Sequence, residues 1–238
     1  MCVDKDGVVY SWGKSTRGQL GYELKYDEST LVSGTKCQST PRVVQSLHER
    51  KITIVDVICG GDFTIAVDDQ GRGFSWGNND HYQLGRSTER TMEAIPEISD
   101  QLAQFEKISK ICCGWMHVAI LTDQGEVYFW GNPFYDYAKH LKDIKEPMKV
   151  ELPFKAVDLA CGFHHFAAIV YDEFNYELYT WGANEYGQCG LQASQDSKLL
   201  FNPVYIPFSE LKIMNIYCGA FHTICHMTGD KLYGFGHN

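Results

Sequence analysis

Five aromatic–glycine dipeptides constrain the fold of this chain more than any other feature. They are Trp12-Gly13, Trp76-Gly77, Trp130-Gly131, Trp181-Gly182 and Phe235-Gly236, at nearly regular intervals from one end of the chain to the other. Self-similarity at a period of about 50 residues marks an array of units, none of which buries its apolar face alone. A Cys-Gly pair forms a second register, at Cys59-Gly60, Cys113-Gly114, Cys161-Gly162 and Cys218-Gly219, and each Cys precedes the next repeat aromatic by a nearly constant interval. A third register follows the aromatic closely: Gly18-Gln19-Leu20-Gly21, Tyr82-Gln83-Leu84-Gly85 and Gly187-Gln188-Cys189-Gly190. The third copy departs from it, with Asn132-Pro133-Phe134-Tyr135-Asp136-Tyr137 in that place.

Each unit reads as short antiparallel strands. Residues 52–58 (ITIVDVI) are β-branched and mostly apolar, as a buried strand requires. Gly60-Gly61-Asp62 punctuates a turn. Residues 63–67 and 73–76 then flank Asp68-Asp69-Gln70-Gly71 as a hairpin. The hairpin recurs at 118–121 with 127–130, and around Asp4-Lys5-Asp6-Gly7. Pro-led segments such as Thr40-Pro41-Arg42-Val43-Val44 and Asn202-Pro203-Val204-Tyr205-Ile206 suit an outer edge strand, where a missing amide is tolerated. Four strands per unit, repeated radially, make a propeller blade, so the fold is expected to be all-β. The repeated glycines are read as allowing inner strands to crowd near an axis, with the aromatics filling the space between blades.

The stretch Val-Tyr-Ser-Trp-Gly-Lys-Ser-Thr-Arg-Gly-Gln-Leu-Gly (9–21) and its partner half Cys-Gly-Trp-Met-His-Val-Ala-Ile-Leu (113–121) resemble the repeat of the regulator of chromosome condensation family. The resemblance covers essentially the whole chain. Repeats of the WD type are shorter, at about 40–45 residues, and no Trp-Asp dipeptide is present. The resemblance implies a seven-bladed β-propeller in full-length members. This chain is too short for seven blades, so the expectation is an incomplete propeller of four to five blades forming an open arc. Its parts are a partial repeat 1–50, repeats 51–105, 106–154 and 155–210, and a partial repeat 211–238. The first repeat opens mid-hairpin and the last stops before its outer strand. A fragment or a short, diverged member accounts for both.

A length of 238 residues supports one such domain with a sizeable core. The net charge of −9 does not suggest a nucleic-acid or acidic-membrane surface. The family's chromatin-bound member attaches through basic elements, and no basic tail appears here. No apolar run is long enough to span a membrane as a helix, no signal peptide is expected at Met1-Cys2-Val3-Asp4, and no Asn-x-Ser/Thr sequon occurs. Nine cysteines are an odd number, four of them at one repeat position. They read as small buried residues in a reducing compartment, cytoplasmic or nuclear.

Catalytic and metal constellations are sparse. His222-Thr223-Ile224-Cys225-His226, with Cys218 upstream, is the densest ligand cluster. Strand alternation puts His222 and His226 on one side and Cys225 on the other, and no Cys-x-x-Cys accompanies them. No nucleophile elbow or phosphate loop occurs. Asp4, Asp6, Asp68, Asp69 and Asp123 fall in hairpin turns, which explains them. No cofactor or catalytic residue is expected. Tyr135, Tyr137, Tyr171, Tyr176 and Tyr179 read either as packing or as an interaction surface.

In the family's guanine-nucleotide exchange member, the loop after each Cys-Gly lies on the face that engages the small GTPase Ran. The resemblance therefore makes Asp62 and His164 candidate partner-binding residues. Met116 and Phe221 stand at the same position in the other copies. The last residue of that loop, His117, His165 or His222, is expected to hydrogen-bond the neighbouring blade's backbone. The resulting reading is a non-catalytic scaffold for a protein partner, a small GTPase that it regulates being one such partner. Guanine-nucleotide exchange on a Ran-like GTPase, or a structural segment of a larger multidomain protein, are the alternatives.

Overall fold

A bulge opposite each repeat tryptophan organises every four-stranded blade. The computed structural model describes residues 1–24, 31–32, 35–134, 137–138, 141–192, 198–208 and 212–237, which form two compact units, Met1–Glu106 and Lys107–Asn238.

The first unit holds two four-stranded antiparallel sheets. One comprises β1 (Cys2–Val3), β2 (Val9–Lys14), β3 (Leu31–Val32) and β4 (Thr35–Val43), in the order β1-β2-β4-β3. After a short helix α1 (Gln45–Glu49), which buries Leu47, the second comprises β5 (Ile54–Cys59), β6 (Phe63–Asp68), β7 (Gly73–Asn78) and β8 (Met92–Ile98), in chain order. Among the described residues the first sheet lacks the innermost strand of the others. It reaches four strands because β3 folds back on β4.

Three sheets make up the second unit. The first contains β9 (Ile108–Cys113), β10 (His117–Thr122), β11 (Val127–Gly131) and β12 (Ile144–Lys149), and the second β13 (Lys155–Cys161), β14 (His165–Tyr171), β15 (Tyr176–Ala183) and β16 (Leu199–Ile206). The third has only β17 (Ile213–Cys218), β18 (His222–Met227) and β19 (Lys231–Gly236). Every sheet is antiparallel, and β1 and β19 belong to different sheets. Five sheets are an incomplete set of propeller blades.

The outer strands share one irregularity. Ser11 pairs with Arg42 but Gly13 with Gln38; Ser75 pairs with Glu97 but Gly77 with Glu93. Phe129 and Gly131 pair with Met148 and Ile144, and Thr180 and Gly182 with Val204 and Leu200. Each time, the outer strand bulges opposite one tryptophan, and the last residue of the bulge is a proline: Pro41, Pro96, Pro147 or Pro203. A residue without an amide hydrogen costs least where the ladder is already interrupted.

The glycines have more local reasons than crowding at an axis. Those after the aromatics have φ of 106, 108, 97, 102 and 116° at Gly13, Gly77, Gly131, Gly182 and Gly236, a region that L side chains avoid. At four of them a Cβ would also strike the carbonyl of the residue starting the inner hairpin: Asp62, Met116, His164 or Phe221. That carbonyl accepts the amide of the residue after the glycine, at 2.7–2.8 Å. The glycines of the Cys-Gly pairs instead make room for a ring of their own blade, that of Phe63, His117, His165 or His222.

Trp76 and Trp181 fill space between blades, whereas Trp12 is 40% exposed. Trp76 is fully buried in a cluster combining Val9, Leu20, Tyr22 and Val44 of the first blade with Ile54, Ala66 and Phe74 of its own. Its Nε1–H donates to the Gln19 carbonyl at 3.1 Å, and the Thr64 hydroxyl donates to the same oxygen at 3.2 Å. The Gly-Gln-Leu-Gly loop of one blade is thus gripped by the next. At the last junction of the second unit, Thr223 likewise donates to the Gln188 carbonyl, at 2.8 Å.

The divergent third copy breaks this grip, and the structure compensates with rings. Phe166 stands where two other blades have Thr64 and Thr223 and a third has Val118, and stacks on Trp181 at 5.0 Å and 9°. Among the described residues the Trp181 Nε1–H has no acceptor. Phe134 enters the core in place of the missing loop, edge-on to Phe129 at 6.5 Å. Trp76→Phe and Trp181→Phe remove the same ring volume, but only the first gives up a hydrogen bond. Trp76→Phe is expected to lower the unfolding free energy in urea by about 1 kcal/mol more than Trp181→Phe. Equal losses would contradict this account of the two junctions.

Candidate functional site

In the second unit the three Cys-Gly loops join edge to edge. The Trp115 amide donates to the Phe163 carbonyl at 3.0 Å, and the Phe163 amide to the Ala220 carbonyl at 3.1 Å. The backbone bonds hold the loops in fixed register, and their side chains form a continuous row. Trp115 and Phe163 lie 4.8 Å apart, Phe163 and Phe221 5.5 Å, Phe221 and Tyr186 5.4 Å, and Tyr186 and His237 5.0 Å, centroid to centroid. Trp115, Phe163 and Phe221 are half-buried, and Tyr186 is 45% exposed. Beside the row, Tyr137, His164, Glu185, Lys198 and Phe221 line a cavity of about 360 Å³.

His164 is buried in that wall. Its Nδ1 lies 3.1 Å from the Pro133 carbonyl of the preceding blade, and its ring meets Tyr137 edge-on at 5.6 Å. The Tyr137 hydroxyl donates to Glu185 at 2.7 Å, tying the loops after Trp130 and Trp181 together. Asp62, in the first unit, holds the equivalent place. Its carboxylate accepts from the Gln19 amide at 2.7 Å and faces the Lys14 ammonium at 3.3 Å, both from the preceding blade. Each candidate therefore secures the loop behind it. Where Phe221 takes that position, the Gln188 Nε2 is buried without an acceptor among the described residues.

The last residues of the loops correct an expectation. His117 makes no ring bond among the described residues, and the ring bond resolved at His165 goes to a side chain of the next blade. His165 Nε2 lies 2.9 Å from the Thr223 hydroxyl of the next blade. Because Thr223 spends its hydrogen on the Gln188 carbonyl, its oxygen must accept from His165, which fixes the Nε2–H tautomer. His117 is fully buried, stacks obliquely on Phe166 at 4.6 Å, and has no partner for either ring nitrogen among the described residues. The blades choose a flat ring here for packing, as Phe63 at the same position makes plain.

The tyrosines divide. Tyr137 lines the cavity, whereas Tyr171 pairs with Tyr176 at 4.9 Å and Tyr179 with Tyr205 at 5.7 Å across strands of one blade. Tyr135 lies outside the described residues. Among the described residues no three His, Cys, Asp or Glu side chains are placed to hold a metal ion, and no helix is long and apolar enough to cross a membrane. In the hairpin turns, Asp4 and Asp68 accept the amides two and four residues on, and Thr122, rather than Asp123, does so for Glu126. Sequence reasoning missed the aromatic row. Its signal was the second residue after Cys, aromatic at Trp115 and Phe163 but Gly61 and Ala220 in the other copies.

The inner loops of the second unit thus present a backbone-bonded, aromatic face on a repeat-propeller fold. The model of the RCC1-like domain matches residues 1–238, and the chain belongs to that family. It is 29% identical over 241 residues to the ultraviolet-B receptor UVR8 of Arabidopsis thaliana, covering 99% of this chain and 50% of that protein. To the regulator of chromosome condensation of Mus musculus it is 27% identical, covering 97% and 55%. To the human E3 ubiquitin-protein ligase HERC2 it is 30% identical over 95% of this chain but 4% of that protein. The chain thus spans about half the length of the first two and a small part of the third. Among solved structures, human WBSCR16 superposes with a TM-score of 0.72 at 23% identity, over 94% of this chain and 54% of that one. Prp20p from Saccharomyces cerevisiae, studied for its binding to Gsp1p and histones, gives a TM-score of 0.58 at 22% identity, over 99% and 68%.

Burial pushes the His165 pKa down to about 4, with His222 adding repulsion, and burial drives that of His117 well below its ordinary value. Both rings titrate near pH 6.5 once unfolded. Between that pH and about 4 the unfolded chain binds the extra protons, so stability falls as pH falls through this window. His165 alone accounts for a loss on the order of 3 kcal/mol. Urea midpoints measured from pH 7 to 4 should show this decline. His165→Phe, which installs the ring found at position 63, should flatten it.

Proposed function

We propose that this chain is a propeller scaffold that binds a protein partner through the Cys-Gly loop face of its second unit. The observation that carries the reading is the row Trp115, Phe163, Phe221 and Tyr186, aromatic, part-exposed and held by backbone bonds between loops. Rigid aromatic side chains supply contact area with little ordering cost and dominate protein interfaces. The partner we favour is a small GTPase, because family members include the regulator of chromosome condensation and Prp20p is studied for its binding to Gsp1p. His164 belongs to this reading as a support that holds neighbouring loops of the second unit in register, Asp62 is a candidate contact at the equivalent place in the first unit, and no side-chain catalysis is required. A cytoplasmic or nuclear setting suits such a partner.

Guanine-nucleotide exchange is the second reading, favoured by the same family membership. A third, a segment of a larger multidomain protein, is favoured by HERC2, of which the matched region is 4%. Titration with a GDP-loaded Ran-class GTPase separates them. A scaffold gives a stoichiometric complex without accelerating release of labelled GDP, and Phe163→Ala or Phe221→Ala weakens it about tenfold or more. Catalytic acceleration of release, slowed by His164→Ala, would establish exchange instead. Absence of binding at high micromolar concentration would remove the GTPase as partner.

A further inference from the structure

One hairpin of the second unit departs from the repeat, at the end of its strands remote from the Cys-Gly loops. Cys161 precedes its repeat aromatic by 20 residues, the other three repeat cysteines by 17. The extra residues lengthen β14 and β15. Pairing that starts at the repeat glycine stops after five pairs in β6–β7 and β10–β11, at Val67↔Gly73 and Leu121↔Val127, and after six in β18–β19. In β14–β15 it runs to seven and ends at Tyr171↔Tyr176. Two more pairs lengthen a hairpin by about 6–7 Å. The tip, Asp172-Glu173-Phe174-Asn175, holds an exposed ring in a fixed turn. Phe174 is 84% exposed, the most of any large apolar side chain among the described residues. The Asp172 carboxylate accepts the amides of Phe174 and Asn175, and the Asp172 amide donates to the Asn175 carbonyl at 3.1 Å. The Tyr171 hydroxyl donates to the Glu173 carbonyl at 2.7 Å. Glu173 has a φ of 77°, the left-handed conformation that the β6–β7 and β10–β11 turns give to Gly71 and Gly125. Such strain persists only where surrounding bonds over-determine the turn.

Phe174 borders a cavity of about 420 Å³, which it lines with Tyr176, Glu177, Tyr205, Phe208 and Lys212. Lys212, the cation in that lining, lies over the Tyr176 ring at 4.0 Å. Lys155, opposite Tyr171 on β13, lines a separate groove. Asp172, Glu173 and Glu177 make the tip itself acidic, and the amides of Asn175 and Phe174 hold the Asp172 carboxyl below its ordinary pKa. We infer that this hairpin is a second docking surface, whose cavity and Phe174 ring take the apolar side of a basic amphipathic helix on a partner protein. The chemistry selects the occupant. An aromatic-lined cavity receives the apolar anchors of a helix, and the carboxylates beside it face the Lys or Arg side chains that flank them. A second copy of this chain fits poorly, because it brings the same acids and a net charge of −9. The length of β14 sets the surface about 20 Å from the Cys-Gly loops, so one partner on each is sterically compatible.

The test titrates the full chain into a fluorescein-labelled amphipathic peptide of Leu and Lys, long enough for four helical turns, and follows anisotropy. A peptide of the same pattern with Glu for Lys is the control. Saturable binding of the Leu/Lys peptide and none of the Leu/Glu peptide are expected. Phe174→Ser should weaken binding about tenfold or more, and Glu173→Lys should weaken it further as salt is lowered. Leu232→Ser, which removes another exposed apolar side chain outside the cavity, should leave binding unchanged. Phe174 is exposed, so its variant should keep the native unfolding temperature, and a loss of binding then reports the contact itself. No binding of the Leu/Lys peptide, equal binding by Phe174→Ser, or an equal loss in Leu232→Ser would each overturn the inference. So would a dimer of the native chain, seen by sedimentation, that Phe174→Ser dissociates, since a second copy would then be the occupant.

Discussion

At two junctions a single backbone carbonyl decides how a blade is held to the next. In the first unit it belongs to Gln19, which accepts from both the Trp76 indole and the Thr64 hydroxyl; in the second it belongs to Gln188, which accepts from Thr223. A buried carbonyl left unpaired is costly, so the loop that offers it and the strand that satisfies it are mutually required. The same-blade hydroxyls of Ser11 and Thr180 hold the next carbonyl along, that of Leu20 at 2.6 Å and Cys189 at 2.7 Å. The loop is therefore bonded on both sides, which is why a short polar sequence can organise the large apolar clusters around it.

The junction that lacks this loop shows what the bond achieves. At that junction Phe166 stands in place of a threonine, the Trp181 indole goes unanswered among the described residues, and Phe129, Phe134 and Phe166 build an apolar core. Shape and area replace a directional bond. The same departure frees the loop after Trp130 to place Tyr137 against His164 and Glu185, and so to open the cavity beside the aromatic row.

Asp62 and His164 illustrate how a repeat position is reused. Both stand at the same place after the repeat cysteine and both fasten the preceding blade's loop, one by a carboxylate accepting from an amide, the other by an imidazole on a carbonyl. Phe221 gives up the bond and joins the aromatic row instead. The same loop position is answered differently from copy to copy: Asp62 accepts from Gln19, whereas beside Phe221 the Gln188 Nε2 is buried without an acceptor among the described residues.

The blade plan was legible in the sequence because it rests on local rules. Hairpin turns need Asp and Gly at fixed places, strands need β-branched runs, and the aromatic–glycine pair repeats wherever a blade turns outward. Pro41 and Pro203 marked outer strands for the same reason. Tertiary structure alone decided the rest. That proline ends a bulge opposite each tryptophan depends on how two strands of one blade pair. That the Cys-Gly loops bond to one another and that His165 reaches a threonine hydroxyl depend on which residues of adjacent blades come within bonding distance. Blade packing sets those distances between positions a full repeat apart, and neither residue of any pair carries a mark of its partner in its own local sequence.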